Sequence, residues 1–182
     1  MRIAELKRKT RETDIQIKLE IDGSGDTRLD CQDRFLEHML DTLARYGSFD
    51  LTARAEGDND HHLIEDTAIV LGSALRQAMG ETPVNRMGWA VVPMDDALVT
   101  VSLDLIDRPY AEVECPLPMY HHFLRSFCMS CGITLHTRVD RGFDDHHIVE
   151  ALFKALGLSL RMALVPRGEL LSTKAEAKME RG

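Results

Sequence analysis

The chain has 182 residues, 44% hydrophobic and 29% charged, which is enough for one globular domain with a buried core. Thirty Asp and Glu against 22 Lys and Arg give a formal charge of −8, which argues against nucleic acid or an anionic membrane as the main partner. The start, "MRIAELKRKTRETD", lacks the apolar core of a signal peptide, and no run is long and apolar enough to span a bilayer. A cytoplasmic location and no membrane or nucleic-acid partner are therefore expected; a small anionic substrate remains open.

The first clear alternation, "TDIQIKLEID" (13–22), predicts a strand. A further extended segment leads into a helix that carries His38 and stops at Gly47, where a helix-ending glycine belongs. A second alternating run, "FDLTARAE" (49–56), precedes "DNDHHLIED". Asp60 is the expected N-cap of a helix that opens on His61-His62 and continues through 65–80. After the junction "MGWAVVPMDDA" (87–97) the series repeats. The repeat has a strand over 97–107, a helix with His122 ending at Gly132, and a strand over 133–140. It closes with Asp145 as N-cap of a helix opening on His146-His147 and running through 150–164. Such self-similarity predicts two pseudo-equivalent halves of α+β class, about 1–90 and 91–165, within one domain over 1–182. The tail, 166–182, belongs to neither half, and its polar end is expected to be mobile.

The repeated element is H-H-x-x-E. His61 and Glu65 are four residues apart, one turn along a single helix face, so both can reach one metal. His62 points about 100° away around the helix and can serve a different one. His146, Glu150 and His147 repeat the arrangement, and each half adds a lone histidine, His38 or His122. Six His and two Glu, divided by the internal two-fold, give two sites of four protein ligands. One takes His61, Glu65, His147 and a lone His; the other takes His146, Glu150, His62 and the other lone His. Three imidazoles and one carboxylate suit Mn²⁺, Fe²⁺ or Zn²⁺ and are too nitrogen-rich for Ca²⁺ or Mg²⁺. His121 and His136 have no counterpart, since positions 37 and 52 are Glu and Thr, and read as ordinary residues. Of the four cysteines, Cys128 and Cys131 form a C-x-x-C inside an apolar helical stretch, which reads as small buried thiols rather than a zinc or redox pair.

The segments "FLEHMLDTLARYGSFDLTARAEGD", "DHHLIEDTAIVLGSAL", "VPMDDAL", "DRPY", "FLRSFCMSCGITLH", "HHIVEALFKAL" and "STK" run in the order of the imidazoleglycerol-phosphate dehydratase family, which the chain resembles over nearly its whole length. The resemblance implies a duplicated unit with a mixed β-sheet and two helices in each half, helices packed between the sheets. It implies a hydro-lyase of histidine biosynthesis that makes imidazole acetol phosphate, with two Mn²⁺ per chain. It assigns His38, His62, His146 and Glu150 to one metal, and His61, Glu65, His122 and His147 to the other. It further implies Glu12 as acid/base, and Arg86, Arg108, Lys154, Ser172 and Lys174 as phosphate contacts. The homo-oligomer implied is a shell of twenty-four built from trimers, with ligands shared across subunits. The chain departs from the family in a shorter loop before the first double His, in Thr42 where Gln is common, in Cys128 and Cys131, and after Lys174. Chemically, two metals each binding one nitrogen of the substrate ring would hold it as an imidazolate and stabilise the charge left by C–H cleavage. The alternatives are a two-metal phosphohydrolase, whose sites are usually richer in carboxylates, and a metal-linked storage or structural oligomer.

Overall fold

The computed structural model describes residues 1–169. The expectation for the tail, and Ser172 and Lys174 with it, falls largely outside them. The first half runs β1 (Ile3–Lys9), β2 (Thr13–Glu20), β3 (Thr27–Cys31), α1 (Arg34–Gly47), β4 (Asp50–Gly57) and α2 (Asp60–Met79). The second runs β5 (Met87–Met94), β6 (Ala97–Asp104), β7 (Tyr110–Glu112), α3 (Pro118–Cys131), β8 (Thr134–Arg141) and α4 (Asp145–Ala163). Each half forms a four-stranded mixed sheet of identical topology, β1-β2-β4-β3 and β5-β6-β8-β7. In each, the first three strands of that order are antiparallel and the last pair is parallel. The parallel pairs are those whose connection is a helix, as parallel strands require.

Strand alternation turns Ile15, Ile17 and Leu19 of β2, and Val99, Val101 and Leu103 of β6, onto the helices. α2 lies on β1 and β2, and α4 on β5 and β6. The helices also pair across the halves, α1 on α4 and α2 on α3. Both crossings are made close by a glycine at the same place in the repeat, eleven residues after the first histidine of each double His. A Cβ on Gly72 would lie 2.5 Å from the Phe127 carbonyl oxygen, and one on Gly157 2.8 Å from that of Leu43. The four helices thus form a layer between the two sheets, with Phe123, Phe127 and Phe153 wholly buried in it.

Three local expectations are corrected. Gly47 does not end α1 in the left-handed region; Ser48 does, at φ 57°. Gly47 is still helical, and its missing side chain makes room for the Phe49 ring, which a Cβ would meet at 2.5 Å. The N-caps are Asn59 and Asp144, one residue ahead of Asp60 and Asp145. Their side-chain oxygens accept from the backbone N–H of His62 and His146 at 3.0 and 2.8 Å, so the cap shift pins the start of each double His directly. Gly132 ends α3 at φ 79° as expected.

Candidate functional site: two imidazole–carboxylate clusters

Because α1 packs on α4 and α2 on α3, each lone histidine meets the double-His helix of the other half. In the first cluster His38 Nε2 lies 3.2 Å from Glu150 Oε2, and His146 Nε2 lies 3.4 Å from the same oxygen. The ligand atoms of His38, His146 and Glu150 fall within 4.8 Å of one another. Phe35 backs the His146 ring at 4.9 Å between centroids. Burial alone would raise the Glu150 pKa, but hydrogen bonds and charge from Lys154 and His38 outweigh it and hold the carboxyl below its ordinary value. Lys154 Nζ donates to Glu150 Oε1 at 2.9 Å, from one turn further along α4, and to Met94 Sδ at 3.2 Å. Desolvation works against its charge, yet the bond to Glu150 leaves its pKa raised.

The second cluster has the same composition. His61 Nε2 is 3.5 Å from Glu65 Oε2, and the His61 and His122 rings are 5.3 Å apart. It is more open, Glu65 being 40% exposed where Glu150 is 11%. Ile69 stands where the first cluster has Lys154, so no ammonium is built into it at that place.

Within one chain three of the first expected set converge, whereas in the second His61 approaches Glu65 and the His122 ring, but among the described residues these three ligand atoms do not close to within 4.8 Å of one another. His62 and His147 face other groups. His62 Nδ1 lies 2.8 Å from Asp58 Oδ1 and from Asn59 Nδ2, and 3.7 Å from Glu12 Oε2. His147 Nδ1 lies 2.6 Å from Asp96 Oδ1. The Asp58 hydrogen bond raises the pKa of His62, and the Asp96 bond that of His147. In return the His147 imidazole, then the backbone N–H groups of Phe143 and Asp144, hold Asp96 far below the usual carboxylate range. Glu12 sits in the β1–β2 turn with its side chain 57% exposed, and its backbone carbonyl accepts from Asp58 N–H at 2.9 Å.

The described phosphate candidates do not meet within one chain. Arg86, at φ 72°, forks onto Asp104 with Nε–Oδ1 2.7 Å and Nη2–Oδ2 3.2 Å. The carbonyl of Arg108 accepts from Thr134 Oγ1. Thr134 is paired with Asp104, and Asp104 with Met87, so both arginines lie at one end of the second sheet. Lys154 touches Met94, at the other end of β5, and an eight-residue strand spans about 23 Å. Thr42 is buried on α1. His136 is an exposed residue of β8 beside Tyr110. Cys128 and Cys131 are buried, and desolvation pushes their thiols up to about 11 and about 12, which suits packing rather than redox or metal chemistry.

Asp96 was not singled out by sequence reasoning. The signal that could have found it is Phe143, which stands three residues before the second double His where the first half has Asp58.

A duplicated α+β chain with a pair of matching imidazole–carboxylate clusters at its helix N-termini defines a narrow class: two-centre sites built by repetition of one unit. The family model for imidazoleglycerol-phosphate dehydratase matches residues 31–160. Curated relatives of that name include one from Desulfitobacterium hafniense, 45% identical over 96% of this chain and 97% of its own length. Another, from Methanothermobacter thermautotrophicus, is 44% identical over 97% and 98%. Among solved structures, the enzyme of Pyrococcus furiosus aligns with a TM-score of 0.81 at 35% identity, covering 92% of this chain and 98% of that one. The chain belongs to the imidazoleglycerol-phosphate dehydratase family.

Proposed function

We propose that the chain is a hydro-lyase of histidine biosynthesis, converting imidazoleglycerol phosphate to imidazole acetol phosphate and water, with two Mn²⁺ per chain. Family membership supports the reaction, and the paired clusters carry the reading of the site. Metal bonds of about 2.0–2.2 Å set neighbouring donors roughly 3.0–3.5 Å apart. The 3.2 and 3.4 Å separations in the first cluster suit such an ion without rearrangement. Two imidazoles per carboxylate favour a divalent transition metal over Ca²⁺ or Mg²⁺.

His38, His146 and Glu150 would hold one metal, and His61, Glu65 and His122 the other. His62 and His147, turned away from both clusters, would complete the sites of neighbouring chains. That division supports a homo-oligomer with shared sites; the twenty-four-chain shell of trimers would follow from the family resemblance alone. Bound there, the metals would supply Lewis acidity toward the two nitrogens of the substrate ring.

Glu12 would move the proton; its carboxylate is exposed and lies 3.7 Å from His62, which supports that role. It would take the carbon-bound proton and assist departure of the neighbouring hydroxyl as water; the resulting enol tautomerises to the ketone. Lys154 would lie at the phosphate end of the substrate bound at the first cluster. Arg86 and Arg108, at the far end of their own chain, would serve a neighbour's site, with Ser172 and Lys174 closing the set.

Purified protein loaded with Mn²⁺ and given imidazoleglycerol phosphate tests the proposal. The enolisable ketone should form without inorganic phosphate. Phosphate release would point to a phosphohydrolase, and metal binding without turnover to a structural protein.

A further inference from the structure

The duplication lets each side chain be compared with its counterpart. Asp14 pairs with Glu56, five residues before His61, and Leu98 pairs with Arg141, five residues before His146. The two hairpins pair in the same register, so Glu12 of the β1–β2 turn corresponds to Asp96 of the β5–β6 turn. Asp58 corresponds to Phe143, Asn59 to Asp144, and His62 to His147.

The two halves solve one problem differently. His62 has a carboxylate acceptor at Nδ1 from its own loop, Asp58 at 2.8 Å. Phe143 occupies that place in the second half, 96% exposed and unable to accept a hydrogen bond from an imidazole. The acceptor for His147 comes instead from the hairpin turn, Asp96 Oδ1 at 2.6 Å. The other Asp96 oxygen accepts from the N–H groups of Phe143 at 2.5 Å and Asp144 at 3.1 Å, which ties the hairpin to the start of α4. Asp95, which is 68% exposed, approaches Nε2 of His147 only to 3.5 Å.

We infer that Asp96 is the positioning residue of His147, keeping its proton on Nδ1 and its Nε2 bare to bind a cation. An ionised carboxylate only accepts, so the ring nitrogen facing it must donate. Partners of this kind fix the tautomer of metal-binding histidines. The same comparison shows why Glu12 is available for proton transfer. In the first half Asp58 has taken over the orienting task, so the hairpin carboxylate that lies 2.6 Å from its histidine in one half stands back at 3.7 Å in the other. The inference rests on the reading of His147 as a metal ligand.

Asp96→Asn separates orientation from loop anchoring. The amide oxygen can still accept from Phe143 and Asp144, while its NH₂ faces Nδ1 of His147 and forces the proton onto Nε2, the wrong-tautomer effect known from an Asp→Asn change in a catalytic triad. In the metal-free parent, imidazole ¹⁵N shifts should report His147 as the Nδ1–H form. Asp96→Asn should switch it to Nε2–H and leave His62 unchanged. In Mn²⁺ titrations Asp96→Asn should keep one metal at parental affinity and weaken the other about 10–100-fold. A parent His147 protonated on Nε2, or two metals bound to Asp96→Asn with parental affinity, would overturn the inference. His147→Asn tells the two failures apart. If it keeps both metals, the ligand reading itself fails. If it loses one while Asp96→Asn loses none, only the positioning role falls.

Discussion

Replacing Gly72 by Ala should loosen α2 from α3 and, through them, the second cluster. In a free helix the change would favour folding, since Ala exceeds Gly by about 0.8–1.0 kcal/mol in helix propensity. Here the new Cβ would lie 2.5 Å from the Phe127 carbonyl oxygen and 3.1 Å from Ser130 Cβ, about 0.9 Å inside an ordinary 3.4 Å contact. The obstacle is backbone, which cannot rotate aside, so the helices must separate. Overpacking of this kind costs about 1–3 kcal/mol, and with a carbonyl in the way the upper end applies, leaving a net loss of about 1–2 kcal/mol. For a chain of this size that is about 2–8 °C in Tm, measured at fixed protein concentration because assembly contributes. His61 and Glu65 ride on α2 and His122 on α3, so Mn²⁺ titration should show one weakened metal and one unaffected. Gly157→Ala should show the same at the α1–α4 crossing and the first cluster. An unchanged or raised Tm with both metals intact would refute the close-packing argument.

Mn²⁺ affinity should weaken on acidification starting above pH ~6.5, because Asp58 and Asp96 raise the pKa values of His62 and His147 and protons compete for both rings; a flat profile between pH 8 and 6.5 would contradict this. In the metal-free protein the same raised pKa values make these pairs stabilising below about pH 6.5, a contribution lost as pH rises through the folded-state values; Tm against pH reads the sign. Glu12→Gln should retain both metals and assembly but lower kcat about 100-fold or more, and an enzyme of full activity would remove Glu12 from proton transfer. Lys174→Ala should cost roughly 10–150-fold in kcat/KM, the equivalent of one charged contact of about 1.5–3 kcal/mol, with metal content unchanged.

The duplication and the six patterned histidines were legible because spacing alone reports them. Which helix pairs with which was not, because that choice is made by contacts between halves. Gly72 and Gly157 mark both crossings, but their meaning appears only once the backbones that meet there are known. β1 was hidden by its composition: in "IAELKRK" Ala4 is buried and Leu6 and Arg8 are half-buried, and Arg8 pairs with Asp66 of α2, so a strand reads as a charged run. β5 carries Pro93, which an edge strand tolerates. His62 and His147 fall outside the clusters of their own chain because a double His on a helix cannot aim both rings at one point. The separation of Arg86 and Arg108 from Lys154 depends on which end of a sheet each occupies, which no local pattern records.

The central claim is that paired metals at the two clusters make this chain a dehydratase. Its most direct test is chelator-stripped protein titrated with Mn²⁺ while bound metal and imidazoleglycerol-phosphate dehydration are followed together. Dehydration should be absent without metal and reach its plateau as occupancy reaches two Mn²⁺ per chain. Full turnover by metal-free protein, or a plateau at one metal per chain, would contradict the account.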